Sequence, residues 1–157
     1  FFISSTSAYP NNEGFFDEEY EIKSSSSKIV FDAETLISNK SDIIFRVSAL
    51  VGANRVSGRR LSAKFVEYPK SVINFVHRND VIDATKFAIE NNLNGIFNLC
   101  SKEHPTKEEL YSFNAKKYNF PTPIFSKNEE FLNRIIDGAK IERAGFIYKH
   151  NNAFELV

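Results

Sequence analysis

Three short runs of almost unbroken apolar residues, with helix-period segments between them, set the tightest limit on how this chain can fold. The runs are Phe1–Ser5, Asp42–Leu50 and Gly95–Cys100. Strands apolar on both faces are covered from both sides, which is the condition of parallel sheets. Between the runs, Ile29, Ala33, Leu36 and Ile37 form one apolar stripe at helical spacing. Val81, Ala84, Thr85 and Ala88 form another, broadened by Ile82 and Ile89. Alternating strands and amphipathic helices predict βα units, hence an α/β fold with a mainly parallel sheet and flanking helices.

The stretch Ser71–Asn91 shows the handover from strand to helix within one segment. Val72, Asn74 and Val76 alternate with Ile73, Phe75 and His77, as on the two faces of an extended chain. At Asn79 the period changes. Asn79 is expected to cap the helix, with Asp80 favourable at the positive end of its dipole. His77 and Asp80 read as a structural corner, and alternatively as a junction that holds loops around a ligand. A further helix is expected over Ser57–Glu67, stopped before Pro69. Thr106 and Glu109 have the spacing of a capping box, with Leu110, Phe113 and Tyr111 facing inward. Phe120–Phe125 is expected to be extended. Near the end a short strand precedes Asp137, the expected cap of a short helix closed by Gly145. Ligands of open parallel sheets sit beyond the carboxyl ends of the strands. The loops Ser5–Pro10, Ala49–Arg55 and Ser101–Pro105 are therefore expected to share one rim.

Composition narrows the function. The 20 basic and 20 acidic residues cancel, so there is no cationic excess for a nucleic-acid backbone. Arg55, Arg59, Arg60 and Lys64 form the one local basic cluster, read first as a solvated helix face and second as a contact for a small phosphate. The acids of FFDEEYE read as a solvated loop. Cys100 is the single cysteine, which excludes an internal disulfide and a multi-cysteine metal site and fits a buried thiol. No apolar run approaches the roughly 20 residues of a membrane span, and no leader pattern precedes FFISS. A reducing cytoplasmic setting is expected. The chain has no methionine and opens on what reads as a buried strand, so a piece of a longer protein is expected. Its apolar edge strand Phe1–Ser5 is then open to self-association.

The motifs FISSTSAYP, an acidic loop ending in Asp17-Glu18, a helix with Ala33-Glu34, FRVSALVGANR, INFVHRNDV and GIFNLCSKEHPT follow in that order. This order resembles the extended or atypical short-chain dehydrogenase/reductase family, and within it the NAD-dependent epimerase/dehydratase branch of nucleoside-diphosphate-sugar epimerases. The resemblance implies a partial Rossmann-like parallel sheet with a small carboxyl-terminal substrate lobe. Residues 1–157 would be the later part of one NAD(P)-binding domain, with lobe segments at about 53–92 and 120–157. The phosphate-cradling GxxGxxG turn of that family is absent from this sequence.

The resemblance also assigns roles. It implies NAD or NADP in the intact parent and a small sugar-type or other hydroxyl- or carbonyl-bearing substrate, with no metal. Ser5, with Thr6 behind it, would donate to the oxygen that gains charge in the reaction. Ser4, Ser48, Ala49 and Leu50 would approach the coenzyme, and Tyr9, Arg55 and His77 the substrate. The family's YxxxK pair is missing. If Lys28 is its catalytic lysine, Ser24 stands at the tyrosine position; if Ala33-Glu34 sets the register, the pair becomes Ser26 and Val30. A serine hydroxyl is too weakly acidic to act as that base. Ala49 stands where epimerases often carry Asn, and INFVH has no arginine for a diphosphate. Two readings stay open: a piece of an NAD(P)-dependent enzyme, inactive alone, or a Rossmann-type binding module without turnover. A generic α/β fragment without a function of its own is a third.

Overall fold

The computed structural model describes residues 1–52, 54–127 and 130–155. Residue 53, within the expected Ala49–Arg55 loop, lies outside them. The chain runs through β1 (Phe2–Ser5), a 3-10 turn (Thr6–Ala8), β2 (Gly14–Phe16), α1 (Lys28–Ile37), β3 (Ile43–Val47) and β4 (Ala49–Val51). A second 3-10 turn (Arg59–Leu61), β5 (Phe65–Val66), β6 (Phe75–His77), α2 (Arg78–Glu90) and β7 (Gly95–Leu99) follow. The rest is α3 (Lys107–Lys117), β8 (Ile124–Phe125), β9 (Arg134–Ile136) and α4 (Ala139–Arg143).

The main sheet has the order β1-β3-β7. Both pairings are parallel, with Ile3 beside Phe45 and Phe45 beside Phe97. The pairs β2–β9, β4–β6 and β5–β8 are parallel too. The α/β fold and its parallel strands are thus as the sequence predicts. One face of the sheet packs Phe45, Phe97 and Leu99 against Ala84 and Ala88 of α2, Ile141 of α4, and Phe146 and Tyr148. The small residues of α2 let the helix lie close to the strands. The capping box at Thr106 and Glu109 forms in full.

Several expectations change. The run Asp42–Leu50 is two strands, not one. Ser48 N donates to Leu99 O while Ala49 N donates to Asn74 O, so the chain leaves the main sheet at Ser48 and joins β6. No α-helix covers Ser57–Glu67: a single 3-10 turn forms, and Phe65–Val66 pairs with β8. The cap of α2 is His77, whose Nδ1 accepts from Asn79 N, rather than Asn79. On α1 half of the apolar stripe faces away from the core, with Ala33 and Ile37 only partly buried. Ile29 is 83% and Leu36 75% exposed, while Glu34 is buried because Ser4 and Arg46 hold its carboxylate. Phe113 is also turned outward, against Phe154. Ile82 and Ile89 lie on the exposed side of α2.

The acidic segment is not simply solvated. Glu18 Oε1 accepts from Asn98 N at 2.6 Å, and Lys140 Nζ donates to Ile96 O at 2.9 Å. These two side chains occupy main-chain groups of β7, an edge strand of the main sheet. Burial raises the Glu18 pKa above the usual carboxylate range, against the Asn98 amide that favours the charge. Among the described residues, no helix is long and apolar enough to cross a membrane.

Candidate functional site

The carboxyl ends of β1 and β3 open into a cleft of about 410 Å³. Ser4, Ser5, Thr6 and Ser7 line one side, and Val47, Ser48, Ala49 and Leu50 another. Asn11, Ser26, Arg55 and Arg134 complete it. The cleft forms because the sheet splits there. β1 ends in a 3-10 turn capped by Ser5, and the chain after β3 swings away to β6.

Its hydroxyls have distinct duties. Ser4 Oγ donates to Glu34 Oε2 at 2.6 Å and is buried, so it ties strand to helix. Ser5 Oγ accepts from Ser7 N at 3.2 Å and from Ser7 Oγ at 3.1 Å. Ser26 Oγ donates to Ser7 O at 2.9 Å. The buried Ser48 Oγ has no nitrogen or oxygen partner among the described residues. It lies by the Cys100 thiol, which burial pushes up to about 12 while the Ser48 hydroxyl pulls the other way. Cys100 is therefore a buried neutral thiol, as expected.

Arg134 holds the loop after β1. Its Nε donates to Pro10 O at 2.8 Å and its Nη2 to Thr6 O at 2.6 Å. Burial lowers its pKa from the ordinary arginine value. Beneath the cleft, Arg46 makes a bidentate pair with Glu34 and donates to Tyr9 Oη at 2.9 Å. The single Tyr9 hydroxyl proton has two acceptors in reach, Asp17 O at 2.7 Å and Asn98 Oδ1 at 2.9 Å.

Of the site residues read from the sequence, Ser4, Ser5, Thr6, Ser48, Ala49, Leu50 and Arg55 come together in the cleft. Three do not. Tyr9 is fully buried in the network under Arg46, and burial raises its pKa. Lys28 pairs with Asp32 one helical turn on, at an exposed position. His77 is buried under Gly52, caps α2 and stacks on His150 with ring centroids 4.0 Å apart. Burial, then the neighbouring His150, lowers its pKa. Asp80, also buried, accepts from His150 N and Lys149 N, so the corner binds the carboxyl-terminal segment. The rim is likewise smaller than expected. Ser101 is buried, with its hydroxyl donating to Asn151 O, and lines no part of the cleft.

Ser7, Asn11 and Arg134 also line the cleft, and no motif in the sequence marks them for it. For Arg134 the one signal was a lone cation opening an otherwise apolar strand. Ser26 lines the cleft and Ser24 does not. Among the described residues, no group of three or more His, Cys, Asp or Glu could hold a metal ion.

No family model matches the chain. Protein YeeZ of Escherichia coli K12 is 29% identical over 95% of this chain and 57% of its own length. The chain thus spans little more than half of that curated relative. Among solved structures, a protein provisionally described as an NAD-dependent epimerase/dehydratase from Methylobacillus flagellatus superposes with a TM-score of 0.78 at 20% identity. The match covers 96% of this chain and 59% of that one. UDP-glucuronic acid 4-epimerase from Bacillus cereus, solved with NAD, gives 0.75 at 17% identity, over 97% of this chain and 57% of that one. The chain thus has the Rossmann-like α/β fold of the NAD-dependent epimerase/dehydratase structures, over somewhat more than half of their length.

Proposed function

We propose that this chain is part of an NAD(P)-dependent protein of the epimerase/dehydratase type. Its cleft at β1 and β3 is where the coenzyme's nicotinamide end meets a small hydroxyl- or carbonyl-bearing ligand. The observation that carries this reading is the Ser5 hydroxyl. It accepts twice from Ser7 and makes no donation among the described residues, so its proton is available to a ligand oxygen. The residues fit the coenzyme's reactive end. Ala49 is exposed with only a methyl group to occupy space, and the strand-end serines offer polar contacts. Ser48, Ala49 and Leu50 would lie along that end, and the bound coenzyme would supply a hydride acceptor. The small lobe is assigned to β5–β8 and the segments around it. The setting is cytoplasmic, in keeping with one free buried thiol.

A second reading, binding without turnover, is favoured by one observation. In the register set by Ala33-Glu34, Ser26 would stand at the tyrosine position, and its hydroxyl donates to Ser7 O. No proton relay of the family's kind can be built from it.

The test is titration of NADH and NADPH against the full-length protein by fluorescence, followed by turnover assays on sugar nucleotides and simple hydroxyl substrates. Binding with turnover that Ser5→Ala reduces by about a hundredfold supports the enzyme. Binding with no turnover supports the second reading. Failure to bind either nucleotide refutes both.

A further inference from the structure

A second cavity, of about 530 Å³, shares Asn11 and Arg134 with the cleft and none of the cleft's serines. Its volume falls within the range of small-molecule sites, about 300–1,000 Å³. Three segments build it: Tyr68 to Asn74 before β6, Lys107 at the start of α3, and Phe131 to Arg134 leading into β9. They are tied to one another. Buried Ser71 Oγ accepts from Leu132 N at 2.8 Å, and Ser71 O accepts from Lys107 N at 3.0 Å. Asn74 Nδ2 donates to Arg134 O at 2.7 Å. Ser71 N donates to Tyr68 O at 3.0 Å, closing a turn in which Tyr68 takes φ +53°. That left-handed conformation is rare for a bulky residue and is held here by the turn around it.

Two rings stand partly in solvent on these walls, Tyr68 at 41% and Phe131 at 58% exposure. Two cations, Lys107 and Arg134, face one acid, Glu130, among the lining residues. Lys107 Nζ donates to Glu67 O at 3.2 Å, which leaves it further ammonium protons to donate. Burial lowers the Lys107 pKa, a penalty that a bound anion offsets. Arg134 uses Nε and Nη2 on the loop after β1, and its Nη1 makes no hydrogen bond among the described residues. Aromatic faces beside two cations suit a planar ring that carries a carboxylate. The ring finds apolar contact, and the carboxylate oxygens match the guanidinium fork.

We infer that this second cavity binds a small aromatic carboxylate, its ring against Tyr68 and Phe131 and its charge on Lys107 and Arg134. The site also acts on the cleft. Arg134 donates to Thr6 O and Pro10 O, on either side of the turn that follows Ser5. A carboxylate on Nη1 fixes the guanidinium from its remaining side and tightens that turn. Neither the site nor this coupling depends on the proposed function.

The test titrates benzoate into the full-length protein by calorimetry, with no nucleotide present. Acetate carries the charge without the ring, and benzyl alcohol the ring without the charge. Benzoate is expected to bind with a dissociation constant of about 1 mM or lower. Acetate and benzyl alcohol should each bind about tenfold more weakly or not at all. Phe131→Ala and Lys107→Gln should each weaken benzoate by about tenfold. The Phe131 side chain is exposed, so that variant keeps its melting temperature, checked by circular dichroism. Absence of benzoate binding, equal affinity for benzyl alcohol, or unchanged affinity in Phe131→Ala overturns the site. Bound benzoate should also slow hydrogen exchange at the amides of Ser7 and Tyr9. Binding without that slowing overturns the coupling to the cleft.

Discussion

Glu34 on α1 and Arg46 on β3 form a buried bidentate ion pair that reaches the cleft through Ser4, whose hydroxyl donates to the same carboxylate. The pair holds Glu34 inside on α1, while Ile29 and Leu36 of the apolar stripe are exposed. Removing one partner leaves a buried charge uncompensated. Glu34→Leu is expected to destabilise the protein by about 3–5 kcal/mol, read from the denaturant midpoint. Pairing it with Arg46→Met should restore much of the loss, because an apolar pair carries no desolvation penalty.

Gly52 is the point where the strand after the cleft meets the α2 corner. Its φ is +95°, and a Cβ would stand 2.2 Å from His77 Nε2. Gly52→Ala therefore carries both backbone strain and a clash. A loss of more than about 1 kcal/mol is expected, with a fall in melting temperature. A neutral outcome would mean that the His77 ring is free to move.

Two histidines and one acid set opposing pH trends. Burial lowers the pKa of His77, with His150 adding to it, and burial lowers that of His104. Both are neutral in the folded state while the unfolded chain protonates near pH 6.5. Their contribution is full above about pH 6.5 and is lost as pH falls through the folded values. Glu18 has a raised pKa, so its contribution is full below the unfolded carboxyl value and is lost as pH rises through the folded one. Glu18→Gln, which keeps an acceptor for Asn98 N, should be as stable as the natural protein near pH 7 or more so. In that background the melting temperature should fall from about pH 7 to pH 5, and His77→Asn with His104→Gln should flatten the curve.

Arg134 is bound to the loop after β1 through two different nitrogens. Lysine can reach only one of the two carbonyls. Arg134→Lys is expected to cost about 1.5–3 kcal/mol, the range for a hydrogen bond to a charged group. Hydrogen exchange should speed up at the amides of Ser7 and Tyr9 in particular. Unchanged exchange there would show that the loop is held by other contacts.

The α/β class, the main parallel strands and the capping box of α3 were legible in the residues alone. These follow from apolar periodicity and local spacing, which act within a few residues. The strand-end serines lie in the cleft, as expected, because parallel strands bring their carboxyl ends to one side. The split of the run Asp42–Leu50 at Ser48 came from the packed fold, since Leu99 O accepts from Ser48 N while Asn74 O accepts from the next amide, Ala49 N. The packed fold also put Glu34 inside and left Ile29 and Leu36 exposed, through a Glu34–Arg46 pair spanning two elements. It brought Arg134 from the far end of the chain to the loop after β1, and set Arg55 and Arg60 along a groove rather than a helix face. Each of these rests on partners far apart in sequence, and long-range pairing leaves no periodic trace in the residues that take part.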